Sequence, residues 1–127
     1  SLTSVADDND ELLFTRLGAN DPEFNLRRDA ALMIRRNAAG PTTFATTVEA
    51  HGSYSPVSEL ALNSNSNIAQ LEIVYDDPDY TAVSIESLDG QKSLFVVSNS
   101  DAAGSTQHSI ETANKTIQWT GPYHYRE

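Results

Sequence analysis

The chain contains no cysteine among its 127 residues, which excludes a disulfide framework, a thiolate nucleophile and a thiolate zinc site, and removes the usual sequence marker of redox compartment. Basic residues are scarce. Eight Lys and Arg, only two of them lysine, stand against eighteen Asp and Glu, for a net charge of −10. Such a chain repels phosphate backbones and anionic headgroups, so neither nucleic acid nor a membrane surface is an expected partner. No window of eighteen apolar residues exists to span a bilayer as a helix. The six glycines are dispersed, with neither the dinucleotide-binding nor the phosphate-loop spacing. Histidine is limited to His51, His108 and His124, and no Gly-x-Ser-x-Gly elbow accompanies them.

Enough apolar sequence remains for a core. At 39% hydrophobic and 20% charged residues the composition is that of a folded domain rather than a disordered tail. A compact fold of this mass has roughly 6,600 Å² of accessible surface against about 20,000 Å² unfolded. The chain begins at Ser1 with its single methionine at position 33, and the expectation is a piece of a longer polypeptide, residues 1–127 forming one domain.

Apolar residues recur at period two, with 25 Ser and Thr filling alternate positions, and the expected class is all-β: an antiparallel β-sandwich of about eight or nine short strands, largely a meander. Strands are expected near 2–6, 11–17, 30–36, 42–51, 67–75, 80–88, 91–99, 106–112 and 115–120, bounded by Gly, Pro, Asn or Asp. Leu88-Asp89-Gly90-Gln91 reads as a type I′ turn joining the run Val83, Ile85 to the run Leu94, Val96. Asp76-Asp77-Pro78-Asp79 breaks a further strand from that hairpin, and Asn114-Lys115 is expected to turn the last pair. Two longer connections, 18–29 and 52–66, remain. The stretch Asp29 to Ala38 also suits a short helix by propensity, an alternative to strand 30–36.

Four groups of residues have the chemistry for a site. Arg27, Arg28, Arg35 and Arg36 could clamp carboxylates bidentately, or could balance Asp21, Glu23 and Asp29 at the surface. Glu49 and His51, followed by Gly52 and Tyr54, would project from one face of a strand as two metal ligands still needing a third, as a base and its orienting carboxylate, or as an ordinary polar pair. The tail Trp119-Thr120-Gly121-Pro122-Tyr123-His124-Tyr125-Arg126 offers flat rings for sugar stacking, or for docking and core closure. Asp7-Asp8-Asn9-Asp10-Glu11 and Asp76-Asp77-Pro78-Asp79 carry oxygen ligands of the kind calcium takes, without the spacing of an EF-hand, so solvated turns are the default. Asn114-Lys115-Thr116 matches a glycosylation sequon.

Residues 11–60, with FTRLGANDPEFNLR, the arginine-ending strand LMIRR, and Glu49-Ala50-His51-Gly52 running into Tyr54-Ser55-Pro56-Val57-Ser58-Glu59, resemble the C-terminal β-rich part of oligoalginate lyases of polysaccharide lyase family seventeen, in the heparinase II/III-like group. The resemblance implies a helical toroid followed by β-sheet domains, acting as an exo-type lyase that cleaves alginate by β-elimination. It implies a periplasmic or secreted bacterial setting. The family's catalytic residues and structural zinc site lie upstream of the matching region, so no catalytic residue, metal or cofactor carries over to this chain. The expected role is a non-catalytic C-terminal β domain whose partner is the upstream catalytic domain of the same polypeptide, with alginate oligosaccharide reached through the parent. The alternative is a carbohydrate-binding module for acidic oligosaccharides, with Arg27, Arg28, His51 and Tyr54 as the candidate ligand-binding residues.

Overall fold

The structure, a computed structural model, describes residues 1–18, 28–112 and 115–127. The described residues form twelve strands and no helix: β1 Leu2–Ser4, β2 Asp10–Gly18, β3 Arg28–Arg36, β4 Thr46–Val48, β5 Ser53–Ser55, β6 Leu60–Leu62, β7 Ile68–Asp76, β8 Tyr80–Ser87, β9 Lys92–Ser98, β10 Gln107–Glu111, β11 Thr116–Thr120 and β12 Tyr123–Arg126. The all-β expectation holds. The helical alternative for Asp29 to Ala38 does not, because β3 pairs along its whole length with β2. Cross-strand pairing there outweighs the weak helical preference of Ala, Leu and Met.

By chain contacts the molecule divides into two compact units, residues 6–42 and residues 1–5 with 43–127. The first holds the β2–β3 hairpin, in register from Asp10↔Arg36 to Gly18↔Arg28. Leu12, Phe14 and Met33 stand exposed on it.

The second unit is organised by a four-stranded antiparallel sheet in the order β12-β9-β8-β7. Side chains alternate across it, so the register sets Tyr75, Ala82, Val96 and His124 in one rung of one face, and Val83 and Phe95 on the other. After β9 the chain leaves the sheet, forms the β10–β11 hairpin, and returns as edge strand β12. Ile110, Ile117 and Trp119 of that hairpin pack with Ala82 and Val96, both fully buried, with Tyr75, Tyr80 and Leu94 around them. This packing of hairpin on sheet is the two-layer sandwich of the fold. Trp119 is edge-on to Tyr80 at 5.6 Å between ring centres, stacks on His108 at 5.2 Å, and donates its indole N–H to the Gly121 carbonyl at 2.9 Å.

Several local expectations change. Strand 42–51 shrinks to β4, which pairs with β1, and connection 52–66 contains the short β5–β6 hairpin. The tail beyond residue 120 supplies β12. Three- and four-residue strands carry too few alternations to register as a period, which accounts for twelve strands in place of eight or nine.

The turn after β8 is also different. Gly90 has φ of 85°, but Asp89 is not in the left-handed region, so a type I′ turn is excluded. The Gly90 N–H donates to the Ser87 carbonyl and the Ser87 N–H to the Gln91 carbonyl, both at 2.9 Å, making a three-residue loop with Gly90 as its left-handed bulge residue. Between β7 and β8, Asp77 Oδ1 accepts the N–H groups of Asp79 and Tyr80, an aspartate-closed turn at the expected place. Asn114 lies outside the described residues, while Lys115 accepts the Thr112 N–H at the foot of the β10–β11 hairpin.

The buried cluster is small, and large apolar side chains including Phe14, Val57, Leu60 and Tyr123 remain at the surface.

Candidate functional site

Of the four residues expected to bind ligand, Arg27 lies outside the described residues. Arg28 opens β3 opposite Gly18. Arg35 and Arg36 are both engaged: the register places Arg35 across from Glu11 and Arg36 across from Asp10. Arg35 forms an ion pair with Glu11, and Arg36 grips Asp10 through Nε at 2.7 Å and Nη2 at 2.9 Å. The hydrogen bond from Arg36, ahead of the one from the Asp7 N–H, holds the Asp10 carboxyl below its ordinary range. These two arginines thus balance charge with Asp10 and Glu11 across the hairpin, while Asp21 and Glu23 lie outside the described residues. Cross-strand register selects partners that sequence proximity does not.

Glu49 and His51 fall beyond the short β4, in the turn leading to β5, and still come together. The His51 Nδ1 lies 2.9 Å from the Asn63 carbonyl oxygen. A carbonyl only accepts, so Nδ1 carries a proton. Among the described residues, His51 Nε2 is buried without a hydrogen-bond partner, 3.8 Å from Glu49 Oε1. Glu49 itself is saturated by donors: the Ser1 hydroxyl at 2.7 Å, the Ser66 hydroxyl at 2.6 Å and the Asn67 N–H at 2.9 Å. Those bonds, led by Ser1 and Ser66, lower the Glu49 carboxyl to about 2, with the neighbouring His51 a lesser contributor. Such a carboxylate is a poor proton acceptor and a good clasp. It ties the start of the chain to the segment entering β7.

Gly52 makes the clasp possible. Its φ is 97°, and a Cβ there would meet the Leu62 carbonyl oxygen at 3.0 Å and the Ser64 side chain at 3.2 Å. Asn63, whose carbonyl receives His51, adopts φ of 54°. Tyr54 is 66% exposed on β5, opposite Ala61, and among the described residues no hydrogen bond links its hydroxyl to His51. The site thus positions the His51 ring, which faces Asn63 and Glu49.

The acidic clusters are taken up by turns. Asp7 Oδ1 accepts the backbone and side-chain N–H of Asn9, and Asp77 Oδ2 accepts the Tyr75 hydroxyl at 2.7 Å. Among the described residues no group of three or more His, Asp or Glu is placed to hold a metal ion. The aromatic tail divides between the faces: Trp119 and His124 stack at 6.5 Å on the core side, while Tyr123 and Tyr125 stand exposed on the other.

No family model matches the chain. It is 29% identical over 113 residues to an alginate lyase of Stenotrophomonas maltophilia, a match covering 89% of this chain and 15% of that protein. It is 31% identical over 121 residues to an exo-oligoalginate lyase of Saccharophagus degradans, covering 94% of this chain and 16% of that protein. The chain is related to alginate lyases. The chain spans about 15% of the length of these alginate-lyase relatives, and the similarity runs over nearly all of it rather than over residues 11–60 alone.

Sequence reasoning overlooked one cluster. Lys92, Lys115 and Arg126 line a single cleft between the sheet and the β10–β11 hairpin. They come from three different strands or turns, so no local spacing marks them.

Proposed function

We propose that this chain is a non-catalytic β-sheet domain of an exo-type alginate lyase, which degrades alginate by β-elimination, and that it supports the catalytic part of the same polypeptide. The observation that carries this reading is the similarity of nearly the whole chain to about 15% of the length of two alginate lyases. β-Elimination needs a group that neutralises the uronate carboxylate and a base poised at the C5 proton. Arg35 and Arg36 are committed to Glu11 and Asp10, the His51 ring is bound through Nδ1 to Asn63, and Glu49 is held far below its ordinary range. These commitments favour a supporting role.

The test is a lyase assay on alginate oligosaccharides, comparing the 127-residue chain with a longer polypeptide that includes the sequence upstream of it, followed by the absorbance of the unsaturated product. Activity in the long polypeptide only is the expected result. Product formed by the short chain would overturn it and direct mutation to His51 and Tyr54.

A further inference from the structure

In a chain with a net charge of −10, both lysines and one arginine meet at one place. Lys92, Lys115 and Arg126 line a cleft of about 720 Å³ between the core-side face of the sheet and the β10–β11 hairpin. That volume lies within the usual range for small-ligand sites. The sheet register explains the distribution of charge inside it. One rung crosses all four strands as Glu72, Ser84, Leu94 and Arg126. At about 4.8 Å per strand spacing, Glu72 at one edge and Arg126 at the other are separated by roughly 14 Å.

Arg126 therefore stands at the edge of the cleft away from Glu72. Lys92 pairs with Glu86 at 2.9 Å, but among the described residues neither Lys115 nor Arg126 has an ion-pair partner. The second acid at the cleft, Glu127, accepts the Tyr125 hydroxyl at 3.1 Å. Half-buried Leu94, next to Arg126 in the rung, and buried Ile117 give the cleft an apolar floor, and Ser84 follows Leu94 along the same rung. Carboxylates for the cations, a flat apolar ring face for the floor and a hydroxyl for Ser84 together describe a sugar acid.

We propose that this cleft binds a short uronic-acid oligosaccharide, with Arg126 and Lys115 on its carboxylates and a sugar ring over Leu94 and Ile117. The choice of a uronate over other carboxylates rests on the alginate-lyase reading above. The cleft would retain the acidic chain next to a catalytic centre supplied elsewhere in the polypeptide.

The experiment is a nitrogen-15 NMR titration of the 127-residue chain with trimannuronate at low salt, with neutral mannotriose and tri-glutamate in parallel. Saturable shifts centred on Ser84, Leu94 and Ile117 are expected with trimannuronate, not with the other two. Arg126→Gln and Lys115→Gln should each weaken binding about tenfold, as removal of one charge-assisted hydrogen bond does. Salt at about 0.5 M should weaken it as well, and Arg16→Gln should leave it unchanged. Absence of saturable shifts, equal response to mannotriose, equally tight tri-glutamate, or full binding by both variants would overturn the proposal. The same samples, assayed for unsaturated product, separate the two ideas. Product would refute the non-catalytic role while leaving the cleft standing, whereas lack of binding without product would refute the cleft alone.

Discussion

Ile110 offers the sharpest test of the two-layer packing, because it is 3% exposed at the centre of the β10–β11 hairpin and directly opposite Ile117. Ile110→Ala removes three carbons, worth about 2.4 kcal/mol at ~0.8 kcal/mol each, and the unfilled space adds to this, for roughly 3–4 kcal/mol in all. The unit that contains it, residues 1–5 and 43–127, has an unfolding entropy of about 190 cal/mol/K at ~2.1 cal/mol/K per residue. The melting temperature should therefore fall by about 15–20 °C. Ile110→Val removes one methyl and should lower it by about 5 °C. The chain has a single tryptophan, Trp119, in the same cluster, so its fluorescence during thermal unfolding reports this layer directly. Val57→Ala, at a position 94% exposed, is the reference and should change stability by no more than about 0.5 kcal/mol. If Ile110→Ala melts within a few degrees of the Val57→Ala protein, the hairpin is not packed on the sheet and the core as described is wrong.

The clasp at Glu49 predicts a particular acid response. Its carboxyl is lowered from 4.5 to about 2, so its stabilisation is complete above about pH 4.5 and is lost as pH falls towards 2. An acid titration followed by Trp119 fluorescence should show this loss, and Glu49→Gln should abolish that part of the titration; an unchanged acid profile in the variant would dismiss the clasp. Gly52→Ala forces a left-handed alanine and a close approach to the Leu62 carbonyl, whereas Gly90→Ala meets open space and incurs only the backbone strain. Urea unfolding should rank Gly52→Ala as the more damaging, with Gly90→Ala costing about 1–2 kcal/mol; the reverse order would show that the β4–β5 turn is looser than described.

The long strands were legible because each alternates apolar and polar residues over several repeats. β2, β3, β7, β8, β9, β10 and β11 all fall within about two residues of their expected bounds. The three-residue strands β5 and β6 were not, since Ser53-Tyr54-Ser55 and Leu60-Ala61-Leu62 contain barely one alternation each. The hairpin at Asp89-Gly90 was legible in place but not in type, because Asp-Gly suits a two-residue and a three-residue loop alike, and only the ladder register decides between them. At the candidate site, the nearness of Glu49 and His51 was foreseen on the wrong grounds: a turn, not a strand face, brings them to 3.8 Å. The cleft of Lys92, Lys115 and Arg126 was invisible, as its members converge only through the pairing of β12 with β9 and the folding of the hairpin over them.

The small core of the unit formed by residues 1–5 and 43–127 governs how it should come apart. Among the described residues only six apolar side chains are buried, Ala45, Ala82, Val96, Ile110, Ile117 and Trp119, while Val57, Leu60 and Tyr123 stand exposed already, so unfolding bares little new apolar surface. The steepness of a denaturant transition scales with newly exposed area. This chain on its own should therefore unfold over a wide span of urea, with a low heat-capacity increment. A protein that covers its bare apolar side chains would supply the missing area, and the same strands would then melt in a narrower, more all-or-none transition.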